Sequence, residues 1–335
     1  MNTLRQLRNT AVLLALVITA GASANDGEDD VLSLRPTWDV GQEFYVEWQG
    51  EAVFQRLSPA TTPPPPPMRV TETWGSLCRV RARLPEGGFK LDVTFDRIAV
   101  NVEYGVNVIQ ADSDTMDLSK AEDPDAAALA HLLGRTYSVE LDRNGVVQRV
   151  DGAKEILAAA ERAAGDDANP AHLRSVLDSE ELATAWNTVA MVYAFKDVRV
   201  DDCWQRTLET YRGPDRHTFK LEEIDQGQSN RARVSCTLEP VASSAPQRAE
   251  RLWGVRYRNR QYKDAHGSVE FDLGNLGLMR FTWAYTERAE TVETADKIDD
   301  GEPNVSEQEM KWQCTISVRP AAERMRSKAA QHKRD

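Results

Sequence analysis

Apolar and polar side chains alternate with a period of two through most of this chain, which restricts the fold to strands that bury one face and wet the other. In the last such stretch Met310, Trp312, Cys314, Ile316 and Val318 share one face, while Lys311, Gln313, Thr315, Ser317 and Arg319 take the other. Val70, Trp74, Cys78, Val80 and Ala82 oppose Arg69, Thr71, Thr73, Arg79, Arg81 and Arg83 in the same way. Pro85-Glu86-Gly87-Gly88 interrupts the pattern, and Phe89, Leu91, Val93 and Phe95 resume it. Its phase slips at Asp96-Arg97, after which Ile98, Val100, Val102 and Tyr104 carry the apolar face. One extra residue in a β-bulge produces such a slip, and so do two strands meeting at a bend. A first strand is marked by Phe44, Val46 and Trp48, and the prolines Pro63 to Pro67 that follow lack backbone donors and must leave the sheet as a loop.

Helices are expected in the middle of the chain. Asp123-Pro124 supplies a cap and a first-turn proline for the Ala-rich run to Leu133, and Gly134 stops it. Asn144-Gly145, between Tyr137-Val139-Leu141 and the run Val146 to Val150, reads as a tight hairpin in which both residues take positive φ. A second helix is predicted over 153–164, and a short third is capped by Asn169-Pro170. A fourth starts near Asp178 or Ser179 and carries Leu182, Ala185, Trp186, Val189 and Tyr193 along one stripe, opposite Glu180, Glu181, Thr184 and Asn187. Strands resume at Trp204 and run through Phe219, Val234, Cys236, Trp253-Val255-Tyr257, Val269, Phe281 and Trp283 to the end. The fold class expected is α+β and β-rich: a large curved antiparallel sheet or sandwich, with a central helical insert at about 122–193 packed on it. The whole of 25–320 is read as a single domain, and 321–335 as a frayed basic tail containing Arg324, Arg326, Lys328, Lys333 and Arg334.

Residues 1–24 have the form of a cleavable signal peptide: Arg5 and Arg8, an apolar run from Ala11 to Ala20, then Gly21-Ala22-Ser23-Ala24. The run is shorter than the roughly 20 residues a bilayer span needs, and an acidic stretch follows it. No cysteine follows the run, which excludes lipid attachment at a new amino-terminal Cys. No other segment is apolar enough to span a membrane, so the chain is expected in the periplasm or outside the cell. Cleavage takes the formal charge from −12 to −14, since two arginines are lost and no acid is. Such an acidic chain lacks the clustered Lys and Arg that bind a phosphate backbone, so nucleic acid is excluded as a partner.

Cys78, Cys203, Cys236 and Cys314 are an even set in an oxidising compartment, so two disulfides are expected, with three connectivities open. No close Cys or His pairs suggest a metal, and no cofactor is expected. The elbow, phosphate-loop, dinucleotide and zinc-protease motifs are all absent, although a carboxylate pair brought together only in space would leave no motif. The stretch Asp296 to Glu307 places Asp296, Asp300, Gly301 and Glu307 at calcium-loop positions, but Ile298 stands where an oxygen ligand belongs, so it reads as an acidic hairpin loop.

The stretch Leu133-Gly134-Arg135-Thr136-Tyr137-Ser138-Val139-Glu140-Leu141-Asp142-Arg143-Asn144-Gly145-Val146-Val147 resembles a hairpin that recurs in exported bacterial proteins. Val198-Arg199-Val200-Asp201-Asp202-Cys203-Trp204 is similar to their later strand start, and Gly267 to Asp272 with Leu278 to Glu287 to their closing hairpin. Together these resemble the family catalogued as domain of unknown function 6263. The resemblance implies export and a β-rich fold with a helical insert, and it implies no reaction. Asp201 stands where the family has glycine, and Cys203 takes its small position.

The functional expectation is a binding protein whose sheet and helical cover enclose an apolar ligand or lipid. Its candidate apolar face is Trp74, Leu182, Trp186, Val189, Trp283 and Trp312. The alternative is a structural or interaction protein that contacts another envelope protein through its acidic surface or proline loop. The mature chain is predicted to begin at Asn25. Amino-terminal sequencing of protein exported by its host checks this, and a chain retaining Met1 would disprove it.

Overall fold

Strands dominate because the period-two stretches zip together, mostly with their neighbours in sequence. The computed structural model describes residues 31–57, 65–164, 174, 177–194, 196–227, 230–274, 277–293 and 305–331. The strands are β1 Leu32–Ser33, β2 Glu43–Arg56, β3 Met68–Arg83, β4 Phe89–Tyr104, β5 Asn107–Asp112, β6 Thr136–Leu141, β7 Val147–Asp151 and β8 Asp197–Val198, then β9 Cys203–Thr210, β10 Gly213–Asp225, β11 Arg231–Pro240, β12 Val255–Asp272, β13 Gly277–Glu293 and β14 Val305–Pro320. The helices are α1 Pro124–Leu129, α2 Ala153–Ala164, α3 Ser179–Ala190, α4 Arg248–Trp253 and α5 Ala321–Gln331. Twelve strands make one antiparallel sheet in the order β7-β6-β4-β3-β2-β14-β13-β12-β11-β10-β9, with β5 paired to β4 off that path, while β1 and β8 pair separately.

The sheet does not close on itself, because its two edges, β7 and β9, meet a helix instead of each other. Val147 N–H on β7 donates to Asn187 Oδ1 of α3 at 2.9 Å, and Thr184 of α3 lies against β9, its Oγ1 donating to Glu180 O at 2.9 Å and standing 3.4 Å from Glu209 O. A path of eleven strands with both edges on one helix has to curl around an interior. That interior is one connected set of buried side chains drawn from nearly every strand, from α1 to α3 and from residues 191–194. Thus Asn187 and Thr184, expected on the wet side of α3, fasten the sheet edges.

Local signals explain the details. Asp123 accepts from Ala126 N at 2.9 Å and starts α1, and Asp178 accepts from Glu180 N at 3.2 Å and starts α3. The slip in β4 is a bulge within one continuous strand: Gly75 of β3 faces Arg97 and Ser76 faces Phe95, leaving Asp96 unpaired. The β6–β7 turn is looser than a two-residue hairpin, because Asp142 N–H reaches Val146 O at 2.9 Å and only Gly145 has positive φ. Asp201 sits at φ 71°, the left-handed conformation that glycine takes without strain. Residues 248–253 are helical, so the strand expected from Trp253 starts at Val255; Glu250 Oε2 caps Gln247 N–H at 2.7 Å, and Gly254 at φ 66° ends the turn.

Residues 321–331, expected as part of a frayed tail, form a docked helix. Arg324 of α5 is buried on the outer face of the sheet, with Nε 2.7 Å from Asp96 Oδ2 and two further bonds of 2.8 and 2.6 Å to Asp114. The bulge in β4 therefore has a use, since it presents Asp96 to Arg324 and to Lys328 Nζ at 2.7 Å. Beneath them Tyr45 is fully buried, its ring under Arg319 and Arg324 at 5.0 and 5.3 Å. Its hydroxyl occupies the space that a side chain at Gly75 would fill.

The expected disulfides are not made, and all four cysteines are free. Cys236 and Cys314 share a register row but lie three strands apart, through Gly267 and Trp283, or about 14 Å at ordinary strand spacing. A disulfide needs Cα atoms within about 7 Å. Cys78 faces Phe44, which faces Pro320, six residues along β14 from Cys314. Cys203 faces Lys220, and its row falls on the opposite side of the sheet from that of Cys236.

Trp186 couples α3 to the sheet, since it is buried and its Nε1 donates to the Tyr137 hydroxyl at 3.1 Å. Trp186→Ala should lower the free energy of unfolding by about 3–5 kcal/mol, through lost contacts and a cavity. Chemical denaturation measures this, and an unchanged midpoint would show that α3 does not hold the sheet.

Candidate functional site

The strand registers lay the inner face out as rows, each crossing β13, β14, β2, β3 and β4. The deepest is Phe281, Ile316, Trp48, Trp74 and Ile98. Next come Trp283, Cys314, Gly50, Glu72 and Val100, then Tyr285, Trp312, Ala52, Val70 and Val102, and last Glu287, Met310, Phe54, Met68 and Tyr104. On β5, Ala111 extends the second row and Ile109 the third. Trp283, Leu182, Trp186 and Val189 lie in the buried interior, whereas Trp74 and Trp312 are only partly buried against it. The expected set of six is therefore split between a filled core and an accessible rim.

Burial in the last three rows falls from one side of the sheet to the other. Glu287, Met310 and Ala52 are buried; Phe54, Met68, Val70, Val100 and Val102 are half-buried; Ile109 and Tyr104 are 38% and 46% exposed. Rows two residues apart lie about 7 Å from one another and strands about 4.8 Å apart, so the accessible face measures roughly 14 by 19 Å. It is apolar apart from Glu72, which accepts from Trp74 Nε1 at 3.1 Å. Trp48 Nε1 points to Cys314 Sγ. Gly50 makes room for these rings, since a Cβ there would lie 3.2 Å from the Trp312 ring.

The covered side is held by a buried ion cluster that the sequence did not disclose. Arg212, in the β9–β10 turn, pairs with Glu287 Oε2, and Arg260 Nε pairs with Glu287 Oε1 at 2.6 Å. Arg260 Nη2 lies 2.8 Å from Asp215 Oδ1, to which the Tyr262 hydroxyl donates at 2.9 Å. The Arg212 guanidinium sits 4.6 Å from the Tyr257 ring and 5.7 Å from that of Phe54, which carries the β9–β10 turn over the last row. Burial opposes the charge on Arg212, but Tyr211 and Glu287 outweigh it and hold the guanidinium well above its ordinary pKa. Burial pushes Asp215 up to about 6 despite Arg260 and Tyr262. Removing one member of such a cluster leaves an uncompensated buried charge, typically at a cost of about 3–5 kcal/mol. These charges come from turns and bulges far apart in sequence, so no motif could have announced them.

Two surface grooves, of about 290 and 350 Å³, lie on the outer face beside His266 and Lys311 and between α3 and α4. The second is bounded by groups already paired, Arg251 with Glu180 and Arg248 with Glu181. Among the described residues no group of three His, Cys, Asp or Glu side chains could hold a metal ion. Most of the Asp296 to Glu307 loop lies outside the described residues, and Glu307 itself pairs with Arg288. The described part of the proline loop contributes Pro66, near Gly105.

His217, buried, stacked near Phe219 and with Nδ1 3.9 Å from Cys236 Sγ, has its pKa pushed down to about 4 by burial. The unfolded chain binds a proton there near pH 6.5, so the stability owed to neutral His217 is lost as pH falls from about 6.5 to about 4. Asp215, with its raised pKa, contributes in the opposite sense between about 4 and 6. The stability difference between wild type and His217→Phe isolates the histidine, and should shift against wild type by up to about 3 kcal/mol from pH 7 to pH 4. Denaturation at the two pH values tests this; a difference independent of pH would refute it.

Residues 86–238 match the family model described as "Family of unknown function (DUF6263)". No curated protein matches the chain. Among solved structures, one described as "Lipid-protein interactions in lipovitellin" aligns with a TM-score of 0.41 and 8% identity, covering 84% of this chain and 26% of that one. The chain thus spans about a quarter of the length of that structure. DynF, from the dynemicin biosynthesis pathway of Micromonospora chersina, aligns at 0.20 with 6% identity, covering 86% and 85%. The outer membrane protein OprG of Pseudomonas aeruginosa aligns at 0.19 with 8% identity, covering 86% and 97%. At such scores these likenesses establish neither a shared fold nor a function. Among the described residues no helix is long and apolar enough to cross a membrane. The likeness to the family of unknown function DUF6263 thus extends over residues 86–238, from the β3–β4 turn into β11.

Proposed function

We propose that this is an exported protein of the periplasm or cell exterior that binds an apolar, lipid-like ligand on the inner face of its curled sheet. The observation that carries the reading is the accessible run of Met68, Val70, Val100, Val102 and Ile109 beside Trp74 and Trp312, on the face that elsewhere forms the core. Covering each half-exposed aliphatic side chain contributes on the order of 1 kcal/mol, so an acyl chain lying across the rows gains several. Glu72, beside Trp74 on the accessible part of this face, favours a cationic or hydroxyl-bearing head over an anionic one. The face offers a shaped apolar surface, which suits binding and carriage.

The test is quenching of tryptophan fluorescence by a brominated fatty alcohol, alongside mass analysis of lipid extracted from the exported protein. Wild type should be quenched saturably. Val102→Asp should weaken binding at least tenfold with little change in unfolding midpoint, because Val102 is half-buried on the rim. Absence of saturable quenching in wild type would dismiss the reading, and a protein copurifying through this face would favour an interaction role in the envelope.

A further inference from the structure

We propose that the β4–β5 hairpin is a membrane-contact element that inserts its tip into the surface of a zwitterionic lipid bilayer. Tyr104 pairs with Asn107 across a two-residue turn, Gly105-Val106, in which Gly105 adopts φ 61°. Val106 is 96% exposed and Val108 61%, and Tyr104 and Ile109 are also exposed. From Tyr104 to Ala111 the sequence contains no charge. Aliphatic groups so exposed at a hairpin turn are unfavourable in water and mark a site of contact.

The placement of these groups favours a bilayer over a protein partner. Val102 and Ile109 face inward, whereas Val108 pairs with Glu103 and faces outward, and Val106 stands at the turn. The tip therefore carries apolar groups on both sides, Tyr104 and Ile109 inward and Val108 outward, with Glu103 beside Val108 left at headgroup level, which suits a medium that surrounds it; a partner docking on one face would leave the other wet. β4 is paired on both sides at the tip, to β3 and β5, whereas β5 is an edge, so a shallow insertion that keeps the β5 edge at the headgroups leaves few unsatisfied groups in the hydrocarbon. Tyr104, one residue from the turn, places an amphipathic ring at headgroup depth. The net charge of −12 and Glu103 on the hairpin itself oppose an anionic surface, which selects zwitterionic headgroups. Tyr104 and Ile109 are also continuous with the accessible inner face, so a ligand leaving the bilayer meets apolar surface at once. The contact stands on the hairpin alone and does not require that face to bind a ligand.

Sedimentation of purified protein with phosphatidylcholine vesicles tests it. Wild type should sediment with the vesicles, and phosphatidylglycerol should not increase the bound fraction. Val106→Asp combined with Val108→Asp should lower partitioning at least tenfold while circular dichroism and the unfolding midpoint stay unchanged. Both residues are exposed, so the fold does not depend on them. Val106→Trp should show a blue-shifted emission on adding vesicles. Three results would each overturn the proposal: wild type left in the supernatant, binding confined to anionic vesicles and removed by salt, or an aspartate double variant that binds as wild type does. So would a dimer in native mass spectra that the double variant dissolves, since the tip would then serve a protein contact. Quenching by the brominated alcohol in vesicle-free solution reports ligand binding separately, so the two readings can fail independently.

Discussion

The grip of α3 on both edges of the sheet is the constraint on which the rest of the architecture depends. A long antiparallel sheet with free edges can slip in register or pair with other chains. Here Asn187 takes the N–H of Val147 and ends the hydrogen-bonding ladder at β7, while at the other extreme the same helix covers β9 by packing, with Thr184 Oγ1 3.4 Å from Glu209 O. The same helix drives Trp186 into the interior against Tyr137. Curl, edge protection and core filling are thus coupled, and the inner face becomes an enclosed surface only because α3 stands in the gap.

Two ion clusters hold the strand ends that hydrophobic packing leaves loose, one on each side of the sheet. Outside, Arg97 and Arg324 meet Asp112, Asp114 and Asp96, anchoring α5 over β2 to β4. Inside, Arg212 and Arg260 share Glu287, tying the start of β10 to β12 and β13. Desolvation makes buried ion pairs weak contributors to net stability, but a displaced partner strands a charge, so they favour a single geometry. Planar, multidentate arginine suits this use, and arginine occupies each of these bridging positions.

The sequence disclosed what depends on neighbours along the chain. Alternation at Met310 to Val318, the caps Asp123 and Asp178 and the slip at Asp96 are local facts, and each corresponds to a feature of the structure. The period-two phase put Trp74 and Trp312 on one face but could not say that they lie at its accessible rim, because that depends on which distant turn lies over them. The disulfide expectation failed for the same reason: Cys78, Cys236 and Cys314 share an inward phase, but strand order separates them. The fate of the carboxyl end was equally hidden, since Arg324 is read as solvated until a bulge 228 residues away presents Asp96 to it.

Strand length explains why the inner face stays uncovered on one side. β3 and β4 each run 16 residues, but β6 has only 6 and pairs with β4 from Phe89 to Thr94 alone. At about 3.3 Å per residue, β4 overshoots β6 by more than 30 Å, and only β5 flanks part of that excess. β12 likewise runs on past β11, which leaves it at Thr237 opposite His266. There, however, the β9–β10 turn comes back over the overhang and is fixed by Arg212 and Glu287. Two overhangs of one sheet thus meet different fates. The turn and its ions cover the first, and the second keeps Val70, Val102 and Ile109 accessible, with apolar side chains at the positions that would otherwise be core.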